Sequence, residues 1–172
     1  SMEVQRIMPV LIGIDAVNNL IALEDLGKTN DYSVLYDLEQ KITEEELLQL
    51  VNYLNSLHQG FQKTIVDGEL TNTEMRTLNY EHIFEYPFRE ENGFNLDTVQ
   101  EGLQELALPY KKDLALKQKI ELLGSLYLSK GKYLLHGDYY PGSWLKTSDG
   151  SKVIDPEFCF YGLREFDLGV LF

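Results

Sequence analysis

The sequence has few cysteines and histidines and no long apolar run, which excludes several classes of protein. It contains one cysteine, Cys159, and three histidines. A single thiol cannot form an internal disulfide, and no group of Cys and His residues has the spacing of a zinc site. No stretch approaches the roughly 20 apolar residues of a membrane helix, and the chain does not open on a basic segment followed by an apolar run. We therefore expect a cytoplasmic protein with no membrane partner.

Positive charge is also scarce. Lysine and arginine total 15 against 28 aspartates and glutamates, which gives a formal net charge of −13. This charge would repel a nucleic-acid backbone, and no local run of basic residues offsets it. Nucleic acid is therefore a poor candidate partner. The 44% hydrophobic content of the 172 residues is enough for one domain with a core of its own.

The first half of the chain predicts a hairpin followed by a helix. Residues 7–26 contain two short apolar runs joined by a polar turn, which indicates a β-hairpin. Thr43 and Glu46 have the spacing of a capping box, so we expect an amphipathic helix to start there and to end near Gly60. Residues 61–95 mix polar and aromatic residues without a sustained period, and we expect a loop with short helical pieces. Two further helices are predicted at 97–108 and 113–129.

The pattern of apolar and turn-forming residues changes in the last forty residues, which carry two acidic clusters. Short apolar segments at 133–135, 143–146 and 152–154 are separated by Gly, Pro and Asp, which predicts a small β element that carries loops. One loop contains Asp138, and the other contains Asp155-Pro156-Glu157. A hard cation such as Mg²⁺ usually takes one or two protein carboxylates together with substrate phosphates. A separate aspartate can orient and deprotonate a hydroxyl group, which is the division of labour that phosphoryl transfer needs.

These two loops resemble those of a known family. The runs HGDYYPGS (136–143) and VIDPEF (153–158) are similar to the catalytic and metal loops of the aminoglycoside-phosphotransferase superfamily, and Ser143 and FDLG (166–169) resemble its methylthioribose-kinase branch. The resemblance implies a protein kinase-like fold of the α+β class, mostly the helical C-lobe with a small β-hairpin that carries both loops. It also implies a remnant of the nucleotide-binding N-lobe and hinge at 1–26, followed by a partial catalytic lobe at 27–172.

The resemblance also assigns roles to individual residues. It implies that Asp138 is the catalytic base, that Asp155 is the principal magnesium ligand, and that Glu157 is a second carboxylate on the metal side. Ser143 would assist the metal or the phosphate. The hinge, whose backbone would hold the adenine of ATP, corresponds to Leu23, Glu24, Asp25 and Leu26.

The implied function is ATP-dependent transfer of the γ-phosphoryl group to a hydroxyl of a small metabolite, such as methylthioribose or a related sugar. Three alternatives stay open: an aminoglycoside acceptor, a non-catalytic kinase-like binding module, and self-association of this chain into a homo-oligomer. The second rests on the absence of a Gly-x-Gly-x-x-Gly phosphate loop. We expect a chain that is truncated at both ends and inactive by itself. Tyr140 replaces a histidine that is common in this loop of relatives, so the acceptor is open.

Structural roles compete with these assignments. Asp138 could cap a turn, as isolated aspartates do, and Asp155 with Glu157 could form an exposed charged turn. Asp167 is predicted to be a structural hydrogen-bonding residue, and His136 is predicted to brace its loop through backbone hydrogen bonds. His58 lacks a nearby ligand set, which favours a structural role.

Overall fold

The computed structural model describes residues 2–37, 39–63 and 70–171, which combine helices with small antiparallel sheets. The predicted α+β class is confirmed. The chain divides into two compact units, the first formed by Ser1–Leu70 with Gly131–Phe172 and the second by Thr71–Lys130. Among the described helices, none combines the length and the apolar character needed to cross a membrane. The predicted boundary after residue 26 stays a prediction.

The regular elements follow one another along the chain in this order. The first unit begins with α1 (Met2–Ile7), β1 (Leu11–Asp15), β2 (Leu20–Leu23), β3 (Asn30–Asp31) and α2 (Glu44–Gly60). The second unit contains α3 (Thr73–Tyr80), α4 (Leu103–Lys112) and α5 (Leu114–Tyr127). The chain then returns to the first unit with β4 (Tyr133–Leu135), β5 (Trp144–Thr147), β6 (Gly150–Val153), β7 (Phe160–Gly162) and α6 (Glu165–Leu171).

Three small antiparallel sheets lie in the first unit. The predicted N-terminal hairpin is confirmed as β1 paired with β2, although Ile7 belongs to α1 and not to the hairpin. The second sheet has the order β3-β5-β6, and the third pairs β4 with β7. The small β element predicted after residue 133 is therefore two separate ladders, because β5 pairs with β6 while β4 pairs with the later strand β7.

The core of the first unit is built around α2. Leu50 and Tyr53 of this helix are almost fully buried, as is Tyr139 in the loop after β4. The rings of Tyr53 and Tyr139 stack with their centroids 5.8 Å apart, and the Tyr139 hydroxyl donates to the Leu50 carbonyl oxygen at 2.8 Å. Burying an aromatic side chain with its hydroxyl satisfied stabilises the position of the backbone that carries it. Tyr139 therefore anchors the loop that contains Asp138.

The capping box predicted at the start of α2 is confirmed. The Thr43 side chain accepts from the Glu46 amide, and the Glu46 carboxylate accepts from the Thr43 amide at 3.0 Å. The same carboxylate also lies 2.6 Å from the Lys146 ammonium on β5. The hydrogen bond from Lys146 lowers the pKa of Glu46 to about 2. Glu46 therefore ties the helix terminus to the strand that continues from Ser143.

We expect Glu46→Gln to destabilise the chain at pH 7 and to matter much less near pH 3. A carboxyl group whose pKa is depressed in the folded state contributes stability that is present above its unfolded pKa, near 4.5, and is lost as pH falls toward 2. Because Lys146 is largely exposed, we expect the loss at pH 7 to be on the order of 1 kcal/mol. Urea unfolding at both pH values measures it. Glu45→Gln, an exposed neighbour, is the control, and an equal loss at both pH values would contradict the role of the charge.

The helices of the second unit differ in part from prediction. Residues 73–88 are continuously helical, with a π-helical segment at Glu81–Glu85 and a 3₁₀ turn at Tyr86–Phe88. The sequence predicts instead a loop with short helical pieces at 61–95. Residues 64–69 of that predicted loop lie outside the described residues. The predicted helix at 97–108 is wrong in position. Asp97 lies in a 3₁₀ turn at Leu96–Thr98, and its side chain accepts the Gln104 amide at 2.9 Å in the first turn of α4, so the α-helix begins only at Leu103. The helix predicted at 113–129 is confirmed as α5.

Candidate active site

Two strand ladders bring the acidic loops together. Trp144 pairs with Val153 at the end of the β5–β6 ladder, and just beyond it the Ile154 amide donates to the Ser143 carbonyl at 3.0 Å. In the other ladder Leu135 of β4 pairs with Phe160 of β7. The loop 136–143 therefore leaves one ladder and enters the other, and the loop 154–159 does the same in the opposite direction. The two loops lie side by side.

Direct contacts join the two loops. The His136 ring nitrogen Nε2 lies 2.9 Å from the Ile154 carbonyl oxygen, to which it donates, and Nδ1 accepts from the Asp138 amide at 3.4 Å. Burial lowers the pKa of His136, which fits a neutral ring with its proton on Nε2. Gly137 has φ +85°, and a Cβ there would lie 2.2 Å from the Phe158 carbonyl oxygen, so only glycine fits. The predicted bracing role of His136 is confirmed.

Asp167 on α6 fixes the start of the first loop. Its side chain is fully buried and accepts the His136 amide at 2.9 Å on Oδ2 and the Gly137 amide at 3.0 Å on Oδ1. The Nε2 nitrogen of His58 on α2 donates to the same Oδ2 at 2.9 Å. These three hydrogen bonds compensate a buried carboxylate. The structural roles predicted for Asp167 and His58 are confirmed, while the pairing between them is a finding of the structure.

Asp138 is half-buried and lies in a field of negative charge. Partial burial raises the pKa of its carboxyl group above the usual value, and the charges of Glu157 and Asp155 raise it further. Perturbed carboxyl groups of this kind are concentrated at functional sites. A carboxylate with a raised pKa is a stronger base, and it lies beside two further acids as the sequence predicts.

Asp155 and Glu157 present exposed carboxyl groups on the second loop. Asp155 has φ 58° and ψ 54°, a left-handed conformation that is uncommon for a residue with a side chain and typical of functional turns. Within the described ranges, no group of three or more His, Cys, Asp or Glu residues could hold a metal by itself. Mg²⁺ commonly takes only one or two protein carboxylates, and the crowded negative charge beside Asp138 favours a cation. The two residues therefore fit a magnesium site completed by phosphate oxygens.

The other predicted site residues lie in different settings. Ser143 is buried at the end of the first loop, and its amide donates to the Tyr140 carbonyl at 2.9 Å. Leu23 ends β2, and the Glu24 amide and side chain both bind Val10. Asp25 accepts the Gly27 amide at 2.9 Å. The described residues of this segment, including Leu26, form no hydrogen bond with the two loops, so its role as a hinge stays a prediction.

Tyr140 lies in the first loop and Asp31 lies near it, and the sequence assigns neither of them a role in the reaction. Burial raises the pKa of the Tyr140 hydroxyl, and the negative charges of Asp138, Asp155 and Asp31 raise it too, so the hydroxyl lies within their electrostatic range. The Tyr140 ring packs on Gly142, where a Cβ would come within 2.6 Å of it. Asp31 belongs to β3, whose pairing with β5 brings it near the loops. No motif marks Asp31, because that pairing spans more than a hundred residues.

Comparison with known proteins gives consistent matches. The model of the phosphotransferase enzyme family matches residues 21–172. A methylthioribose kinase of Bacillus velezensis is 30% identical over 148 residues, which are 85% of this chain and 31% of that protein. Methylthioribose kinases of Exiguobacterium sibiricum and Oryza sativa subsp. japonica are 35% and 37% identical over 98 residues, which are 57% of this chain and 24% and 22% of those proteins. The chain spans about a quarter to a third of the length of these relatives.

Proposed function

Because this chain belongs to the phosphotransferase enzyme family, we propose that its two acidic loops serve ATP-dependent transfer of a phosphoryl group to a hydroxyl of a small metabolite. The observation that carries the proposal is the placement of half-buried Asp138 beside the exposed carboxylates of Asp155 and Glu157. One acid is partly removed from water and two remain accessible. This arrangement suits one proton acceptor and one cation site.

In the proposed reaction Asp138 orients the acceptor hydroxyl and receives its proton. The acceptor oxygen forms a bond to the γ-phosphorus of ATP while the bond between that phosphorus and the bridging oxygen breaks, and ADP leaves. Asp155, with Glu157 beside it, would hold Mg²⁺, which supplies charge neutralisation at the phosphates. The Asp167 hydrogen bonds hold the backbone before Asp138 in place, so that the carboxylate is already positioned when the acceptor binds.

The finer assignments belong to the same proposal. Ser143 would assist the metal or the phosphate, and the backbone of Leu23, Glu24, Asp25 and Leu26 would contact adenine. We favour methylthioribose or a related sugar as the acceptor, because the relatives described above are methylthioribose kinases. Tyr140 lies near both Asp138 and Asp155, and we propose that it influences that preference.

Calorimetric titration of the chain with Mg²⁺ and a non-hydrolysable ATP analogue tests the metal loop. We expect Asp155→Ala to weaken magnesium-dependent binding by at least about tenfold, since the loss of even a hydrogen-bond partner of a metal ligand commonly costs 10- to 100-fold in metal affinity. Asp149→Ala removes an exposed aspartate from the turn between β5 and β6 and is the matched control. Equal affinity of both variants would contradict the role of Asp155. If the unchanged chain gives no heat, the alternative of a non-catalytic module is favoured for this segment.

A further inference from the structure

The second unit contains a concave pocket that the proposed reaction does not use. Its volume is about 260 Å³, below the usual range of pockets for drug-sized ligands, so it would admit only a small molecule. The apolar part of its lining consists of Tyr80, Phe84, Phe88 and Ile120. Three of these four are aromatic and partly exposed, and together they form a floor for a flat ring.

The backbone of the second unit shapes this floor. Tyr80 ends α3, and Phe84 lies in the π-helical segment that follows, a type of distortion that is frequent at functional sites. Their ring centroids are 5.7 Å apart. A Cβ at Gly124 of α5 would lie 2.6 Å from Tyr80 Cε2 and 3.3 Å from Phe84, so the absent side chain lets both rings pack directly on the helix. The aromatic floor is therefore held in place before any ligand arrives.

Four charged residues surround the floor, two of them basic and two acidic. Arg89 forms an ion pair with Glu85 and lies 4.7 Å from the centroid of the Tyr86 ring. Lys117 is partly buried and forms no ion pair with any residue that the structure describes. Glu121 is exposed to solvent. The one partly buried charge at the pocket without a partner is therefore positive.

We propose that this pocket binds a small molecule that consists of a flat ring and an anionic group. The ring lies on Tyr80, Phe84 and Phe88, and the anion pairs with the Lys117 ammonium. A ring buried on aromatic side chains gains from loss of apolar surface, and a carboxylate or phosphate gains a charge-assisted hydrogen bond. None of its residues is assigned to the proposed phosphoryl transfer.

Methyl NMR of the chain with labelled isoleucines tests the pocket, because the Ile120 side chain lies within it. The probes are indole-3-acetate, the cationic analogue tryptamine, and acetate without a ring. We expect indole-3-acetate to shift the Ile120 signals, tryptamine to bind at least about fivefold more weakly, and acetate to leave them unchanged.

Lys117→Gln keeps the length of the side chain and removes its charge, and Lys119→Gln removes an exposed charge from the same helix. We expect only Lys117→Gln to weaken indole-3-acetate binding, by about five- to tenfold. The proposal is overturned if no probe shifts Ile120, if tryptamine binds as tightly as indole-3-acetate, or if the two variants bind it equally. These results do not depend on nucleotide binding, so they separate this site from the proposed kinase activity.

Discussion

Asp138→Asn is expected to lower the rate of acceptor-dependent phosphoryl transfer by about 10²- to 10⁴-fold, the usual contribution of a positioned general base. Asparagine has nearly the shape of aspartate but cannot accept a proton. The surroundings of Asp138 give its carboxylate a raised pKa and keep it beside the second loop. The Asp138→Asn substitution therefore removes the base but leaves the loop that carries it intact.

Since we expect this segment to be inactive by itself, formation of ADP is measured in a longer protein that contains it, in the presence of ATP, Mg²⁺ and methylthioribose. Asp149→Asn, which changes an exposed residue outside both loops, is the control and should keep the rate of the unchanged chain. Binding of the magnesium nucleotide should survive in Asp138→Asn, because that residue is not assigned to the metal. An undiminished rate in Asp138→Asn would contradict its role as base.

The local features of this fold could be predicted because their signals lie within a few residues of each other. Thr43 and Glu46 form a capping box three residues apart, and the helix begins there. Asp113 also caps its helix locally, because its side chain accepts the Leu116 amide of α5 at 3.0 Å. The position predicted for the helix at 97–108 is wrong because the hydrogen bond that matters there is not between near neighbours in the sequence. Asp97 accepts an amide seven residues away, in the first turn of α4, and the α-helix begins later in the sequence than the pattern predicts.

In the candidate site, too, features set by neighbouring residues could be predicted, whereas features set by long-range strand pairing could not. The spacing of Asp138, Asp155 and Glu157 indicates a shared site, since each acid follows a short apolar segment that ends in a turn. The left-handed backbone of Asp155 and the approach of Gly137 to the Phe158 carbonyl depend on how two ladders meet. Pairings between strands far apart in sequence are not encoded in a periodic pattern, so neither feature could be predicted.

Asp167→Asn is expected to lower the free energy of unfolding by about 3 kcal/mol, in the range seen when one partner of a buried charged network is removed. The carboxylate accepts three hydrogen bonds on its two oxygens. An asparagine keeps one acceptor oxygen and places an NH₂ group against at least one amide donor. Denaturant unfolding measures the loss, and Glu165→Gln, an exposed change on the same helix, should leave stability within about 0.5 kcal/mol.

Amide hydrogen exchange separates the two ways in which Asp167 could act. If it only stabilises the first unit, protection should fall equally for the core amides of α2 and for the amides of His136 and Gly137. If it positions the loop, as its hydrogen bonds to those two amides indicate, they should lose protection beyond the global change, because local opening then costs less than unfolding. The second pattern is the one we expect. It would mean that a buried residue on α6, through hydrogen bonds to two backbone amides, determines how firmly the loop that carries Asp138 is held.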